Sequence, residues 1–210
     1  MGAYTDDEWL AWIDQLSAED YVVIDEFLPK DIYQTLRSFF LEHLKQDDFS
    51  KAGIGAAGNR QIAASIRGDY IYWLTKERDV TLLPVFQLLE ELIQKLNRYC
   101  FLSLSGYEFH LAHYPSGTFY RRHLDQFRER NNRMISIIIY LNELWNEGDG
   151  GELIVYRDNE VHEKIQPLAN RCAMFRSDCV EHEVSETRIS RYSLTGWLLY
   201  QPPGLGQILG

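Results

Sequence analysis

The 210-residue chain is short of several features that would narrow its setting. It has three cysteines, Cys100, Cys172 and Cys179, and no CxxC pair; an odd count of this kind suits reduced thiols in packing roles rather than a disulfide frame. No apolar run approaches the length that spans a bilayer, so no membrane role is expected. The first residues lack the basic and apolar regions of a secretory leader, and Asp6 stands where a myristoylation pattern needs a hydroxyl. A cytoplasmic location is therefore expected. Positive charge is in the minority, with 21 Lys and Arg against 31 Asp and Glu for a net charge of −10, which argues against a nucleic-acid backbone as partner. Internal repeats and low-complexity tracts are absent as well.

What is present reads as an ordinary folded protein: 45% of residues are hydrophobic and 25% charged, enough to exclude disorder for most of the chain. The length suits one domain over 1–210, with a helical support over 1–101 and a β-rich core over 102–201. Thr5 with Glu8 three residues on is a capping box, and Trp9, Trp12, Ile13 and Leu16 follow as one apolar stripe of a helix over 5–17. A strand is expected over Tyr21–Phe27. Pro29 opens a second helix to about Lys45, with Ile32, Leu36, Phe39, Phe40 and His43 on one side. Residues 49–65 carry Gly53, Gly55 and Gly58 with little periodicity, the pattern of a linker or of a mobile flap. A strand follows over 66–74, then the strongest helical pattern, Val80–Cys100. From about Leu102 the pattern changes to eight short alternating runs, which indicates a jelly roll, mainly β with helices packed on one sheet.

The chemistry concentrates at His123-Leu-Asp125. Two residues apart on a strand, these side chains leave the same face and can grip one ion. HxD triplets also arise by chance, and a lone histidine such as His182 is more often structural. Their joint occurrence raises the odds, because two imidazoles and one carboxylate are the set that holds non-haem Fe(II) and leaves other positions open. Arg191, nine residues past His182, opens an apolar strand, and a buried guanidinium needs an anionic partner. A ligand carboxylate gripped in bidentate fashion would meet that need, as would a structural ion pair to one of the many acids. His110 and His113 are three apart on one strand, so they face opposite ways and cannot share an ion; His162 lies in a polar hairpin. None of the three is expected to be a ligand.

Further pieces occur in order: Ile66-Arg-Gly-Asp69 with Trp73, Tyr114-Pro, Tyr120-Arg-Arg-His-Leu-Asp125, Tyr140-Leu-Asn142, Gly150-Gly151, His182-Glu-Val and Arg191-Tyr-Ser-Leu-Thr195-Gly-Trp197. Together they resemble the iron- and 2-oxoglutarate-dependent prolyl hydroxylases, in the branch that includes the hypoxia-inducible-factor hydroxylases and their bacterial relatives. The resemblance implies a double-stranded β-helix, cupin-like, with His123, Asp125 and His182 as Fe(II) ligands. It implies Arg191 and Tyr140 at the distal carboxylate of 2-oxoglutarate, and Tyr114 and Thr195 lining that pocket. It places Arg67, Asp69, Arg122 and Trp197 in the substrate and lid region, with the Gly-rich stretch as the closing loop. The activity implied is hydroxylation of a proline in a protein or peptide, using O2 and converting 2-oxoglutarate to succinate and CO2, with ascorbate as reductant.

Arg121, Arg122, Arg128, Arg130 and Arg133 crowd around the HxD motif, against Asp125 and Glu129. A basic loop with internal ion pairs, such as Asp69 to Arg133, accounts for them; a patch that steers an acidic substrate is the sharper alternative. A monomer or weak dimer is expected. Hydroxylation of a free amino acid or other small molecule on the same scaffold, or a non-catalytic sensing module, are the competing readings. Nucleic-acid demethylation is disfavoured by the charge.

Overall fold

Thr5 starts the first helix, α1 (Asp6–Glu19), as the sequence indicates: its hydroxyl accepts from the Glu8 N–H, and the Glu8 carboxylate accepts from the Thr5 N–H. In this computed structural model the described residues are 3–53, 66–126 and 131–200. The Gly-rich flap expected before Arg67 lies mostly at 54–65, outside them, as do Arg128, Glu129 and Arg130.

Trp9, Ile13 and Leu16 bury the inner face of α1, and Asp20 in a left-handed conformation ends it. Strand β1 (Tyr21–Ile24) is shorter than the expected run to Phe27. In α2 (Lys30–Lys45), Pro29 is the residue before the helix, not its first turn. The buried residues of α2 are Tyr33, Leu36 and Phe40, so the apolar stripe is centred on Tyr33 and its neighbours, while His43 stacks on Tyr72 and bonds Asp48. Two short strands follow, β2 (Ser50–Lys51) and β3 (Tyr70–Trp73). The expected Val80–Cys100 helix is a 3-10 turn over Val80–Leu82 and then α3 (Leu83–Cys100). Pro84 lies in the first turn of α3, where its missing N–H costs nothing.

The eight expected strands all form: β4 (Leu104–Tyr114), β5 (Tyr120–His123), β6 (Arg133–Tyr140), β7 (Leu153–Arg157), β8 (Glu160–Ile165), β9 (Cys172–Arg176), β10 (Glu181–Val184) and β11 (Arg191–Tyr200). They build a large sheet in the order β1-β9-β6-β11-β4-β3-β2 and a small sheet in the order β5-β10-β7-β8. All the pairings are antiparallel. This is the two-sheet jelly roll expected, with one addition: β1, β2 and β3 of the N-terminal part extend the large sheet at both edges.

Side chains alternate across the large sheet, and the two faces do different work. On one face Phe109, Leu111, Ile137, Ile139, Met174, Leu194 and Leu198 pack with Leu36, Phe40, Phe86, Leu89 and Leu92 of the helices. Each such side chain is worth about 1.5–3 kcal/mol when fully buried. On the other face Ile138, Tyr140, Ala173 and Phe175 meet Leu153, Val155 and Ile165 of the small sheet. Gly196 interrupts β11 because a Cβ there would lie 2.3 Å from the Glu108 carbonyl oxygen and 2.3 Å from the Phe109 ring. No helix among the described residues is long and apolar enough to cross a membrane.

Candidate metal centre and anion pocket

The small sheet brings the first three candidate residues together. His182 on β10 is the register partner of His123 on β5, and Asp125 follows two residues after the end of β5. One ligand atom from each of His123, Asp125 and His182 lies within 4.8 Å of the other two. His123 Nε2 is 3.4 Å from Asp125 Oδ1, and His182 Nε2 is 3.6 Å from Asp125 Oδ2. Among the described residues these form the group of His, Cys, Asp and Glu with metal-holding geometry.

The rings are aimed by backbone. His123 Nδ1 is 2.7 Å from the Arg121 carbonyl and His182 Nδ1 is 3.0 Å from the Val180 carbonyl. A carbonyl only accepts, so each Nδ1 carries the proton and each Nε2 presents its lone pair to the centre. Tyr120 stacks on His123 with centroids 3.8 Å apart, and Phe175 packs on His182 at 4.6 Å. Burial and the neighbouring His123 push His182 down to about 4. Burial alone would raise Asp125, but His182, His123 and the Ser136 hydroxyl outweigh it and hold the carboxyl well below its usual range. An ionised carboxylate facing the Nε2 atoms of two imidazoles is a donor set that fits a divalent metal of the non-haem iron type.

A second feature lies in the same cleft. Arg191, the first residue of β11, is 2% exposed, with the Tyr114 ring 5.0 Å and the Tyr140 ring 4.9 Å from its guanidinium carbon. Its Nε donates to the Gly151 carbonyl at 2.9 Å and its Nη1 to Ser193 Oγ at 3.3 Å. Its Nη2 and the Tyr140 hydroxyl are buried and have no hydrogen-bond partner among the described residues. No carboxylate among those residues pairs with it, so the structural ion pair is not formed. Gly151, at φ +78°, is needed here, since a Cβ would lie 3.0 Å from Thr187 Oγ1 and 3.1 Å from Arg191 Cδ. Thr195 lines the cleft two positions beyond Ser193 and shares a 3.0 Å hydrogen bond with it. An uncompensated buried cation with open donors and a phenol alongside is a receptor for a carboxylate.

Arg67, Trp73, His110, Arg133 and Trp197 also line the cleft. The expected Asp69–Arg133 pair is replaced by two others. Arg67 forks onto the fully buried Asp69 at 2.7 and 2.6 Å, and Arg133 forks onto Glu108 at 2.8 and 2.6 Å while lying 3.4 Å over the Trp197 ring. Arg122 is not part of the cleft: next to His123 on β5 it points the other way, where it bonds Glu181 and Asn159 over the Tyr156 ring. His110 stays out of the metal group, as expected, but it does line the cleft between Trp73 and Trp197. His113 bonds Ser190 instead, and His162 is exposed.

Two residues of the site were missed by sequence reasoning. Ser136 donates to Asp125 Oδ2 at 2.7 Å, and Ser193 bridges Arg191 and Thr195. Both had a signal: Ser136 is the polar residue inside the run Met134-Ile-Ser-Ile-Ile-Ile139, and Arg191, Ser193 and Thr195 alternate with larger residues along one strand face.

The profile of the 2OG-Fe(II) oxygenase superfamily matches residues 109–199, the stretch from within β4 to the end of β11. Among solved structures the chain is similar to a Pseudomonas putida prolyl-4-hydroxylase at 32% identity and a TM-score of 0.83, over 92% of this chain and 99% of that one. It is similar to a Trichoplax adhaerens prolyl hydroxylase, solved with a hypoxia inducible factor oxygen degradation domain peptide fragment, at 27% identity and a TM-score of 0.82, over 92% and 89% of the two chains. A prolyl 4-hydroxylase from Phytophthora capsici gives 25% identity and a TM-score of 0.74, over 94% of this chain and 66% of that one.

Proposed function

Because the chain belongs to the 2OG-Fe(II) oxygenase superfamily, alongside its prolyl hydroxylases, we propose that it hydroxylates a prolyl residue presented by a protein or peptide, with residues 1–210 acting as one catalytic domain. Members of this superfamily use Fe(II), 2-oxoglutarate and O2, and ascorbate is a reductant typical of prolyl 4-hydroxylases. In this reading His123 Nε2, His182 Nε2 and one Asp125 oxygen hold the Fe(II). Arg191 Nη2 and the Tyr140 hydroxyl take the far carboxylate of 2-oxoglutarate, with Tyr114 and Thr195 beside it. The observation that carries the reading is the buried, unpaired Arg191 in the same cleft as the buried His–Asp–His group.

When bound, Fe(II) with 2-oxoglutarate and O2 supplies the oxidising power for a C–H bond, and 2-oxoglutarate leaves as succinate and CO2. The residues of this chain supply position and dryness. The Arg121 and Val180 carbonyls fix the imidazole tautomers. Gly151 and Ser193 hold the guanidinium so that its remaining N–H groups face the cleft. Ile71, Ile138, Leu153 and Val184 line the walls and keep water from the bound groups. Arg67, Trp197 and Arg133 line the same cleft and would border a prolyl segment lying in it. Asp69, itself fully buried, fixes Arg67 there.

The test is binding followed by product. Anaerobic titration of Fe(II) and then 2-oxoglutarate is expected to saturate in that order. Incubation with lysate proteins and O2 is then expected to add the mass of one oxygen to proline in a protein. Gain on free proline alone would reassign the enzyme to small-molecule hydroxylation, and binding without turnover on any substrate would reassign it to sensing.

A further inference from the structure

Asp125 is held by more than its histidine neighbours. Its Oδ2 accepts from Ser136 Oγ at 2.7 Å, and Ser136 Oγ lies 2.8 Å from Ser177 Oγ. Asp125, Ser136 and Ser177 are 8%, 1% and 0% exposed, so solvent has little share in this chain of groups. Its direction is fixed by chemistry. An ionised carboxylate only accepts, so the single Ser136 proton goes to Asp125, and the proton between the two serines belongs to Ser177. The order is Ser177 to Ser136 to Asp125.

Ser136 belongs to the large sheet and Ser177 to the turn after one of its strands, whereas both histidines belong to the small sheet. Ser136 lies within β6, in register with Phe175 of β9 and Trp197 of β11, and Ser177 follows β9 directly. The Ser177 backbone is tied on both sides, since its N–H donates to the Met134 carbonyl at 3.1 Å and its carbonyl accepts from Gln126 N–H at 3.0 Å. The second bond anchors the residue that follows Asp125. One residue thus fixes both the chain next to the carboxylate and the hydroxyl that reaches it.

Left alone, either carboxylate oxygen could serve the ion, because Oδ1 is 3.4 Å from His123 Nε2 and Oδ2 is 3.6 Å from His182 Nε2. The serine hydrogen bond breaks that symmetry. It draws charge from Oδ2 and resists rotation of the carboxyl group, leaving Oδ1 as the stronger donor. We propose that Ser136, oriented by Ser177, is a positioning residue that makes Asp125 a one-oxygen ligand through Oδ1. The remaining positions on the ion then stay open for the co-substrate. This rests on the reading of His123, Asp125 and His182 as the metal site.

The experiment uses Co(II) with the 210-residue chain, read by calorimetric affinity and by the visible d–d spectrum, neither of which needs turnover. Ser136→Ala is expected to weaken Co(II) binding by about 10-fold or more, within the range for lost outer-shell partners, and to shift the spectrum. Ser136→Thr restores both, and Ser177→Ala gives a smaller loss with the same spectral shift. Wild-type affinity and spectrum in folded Ser136→Ala would overturn the proposal. If that variant does not fold, wild-type affinity and spectrum in Ser177→Ala overturn it instead. His123→Ala is the separate control: Co(II) binding that survives there overturns the metal reading itself, whatever the serine variants do.

Discussion

His123 and His182 stand directly opposite one another in the antiparallel β5–β10 pair, with ring centroids 4.3 Å apart and an interplanar angle of 55°. Neither ring reaches the centre by way of a long loop, so removing one leaves the other in place. His123→Ala and His182→Ala are each expected to abolish tight Fe(II) binding, while His110→Ala retains it. Anaerobic calorimetry decides the matter, and retained binding in His123→Ala with loss in His110→Ala would reverse the assignment.

Arg191→Met keeps much of the side-chain volume and removes the charge. 2-Oxoglutarate affinity is expected to fall by about 30-fold or more, the lower end of the 2–5 kcal/mol lost when one partner of a buried charge pair is truncated. Metal affinity should stay at the wild-type value, because Arg191 contacts neither histidine. A parallel loss of both affinities, measured by calorimetry, would mean that the fold and not the pocket had failed.

Gly151→Ala places a methyl group against Thr187 and Arg191 at a backbone position with φ +78°. Strain of this kind costs about 1–3 kcal/mol. The expected result is a lower urea midpoint together with weaker 2-oxoglutarate binding, since the Arg191 Nε rests on the Gly151 carbonyl. A variant with unchanged midpoint and unchanged affinity would show that the crowding is relieved elsewhere.

His110 contributes to the acid-side pH dependence of stability, alongside His182 and Asp125, whose shifts are also downward. Burial first, and the nearby Arg67 guanidinium next, push His110 down to about 3 from an ordinary 6.5. Above 6.5 the imidazole is neutral in both folded and unfolded chains and adds no slope. Between about 6.5 and 3 the unfolded chain takes up a proton that the folded one refuses, so stability falls with pH by up to about 1.4 kcal/mol per unit. His110→Gln should flatten that limb in urea titrations of the metal-free protein between pH 6.5 and 4. An unaltered slope in the variant rejects His110 as a contributor to it.

Much of this was legible before any coordinates. The Thr5–Glu8 box, the α3 stripe and the alternating runs from Leu104 onward come from local periodicity, which a single chain displays openly. The His123–Asp125 spacing and the later His182 and Arg191 suggested the centre, and the ordered likeness to known hydroxylases placed the pocket residues. Partner choice was harder to read. Asp69 pairs with Arg67, two residues away in sequence, while Arg133 pairs with Glu108 across the β4–β11–β6 face. Arg122, which the resemblance put in the substrate region, turns away from the cleft onto Glu181 and Asn159, as its position next to His123 on β5 dictates.

Each of the two imidazoles takes its aim from a carbonyl two residues upstream on its own chain segment. For His123 that carbonyl lies within β5 itself, whereas for His182 it closes the β9–β10 connection, one residue before β10 begins. A lineage built on this plan can rewrite the connections that hold neither Asp125 nor Val180 to suit a new client while the grip on the ion is left alone. Client choice and ion affinity become separately adjustable traits, and a designer can graft foreign loops at those other connections without re-aiming either ring.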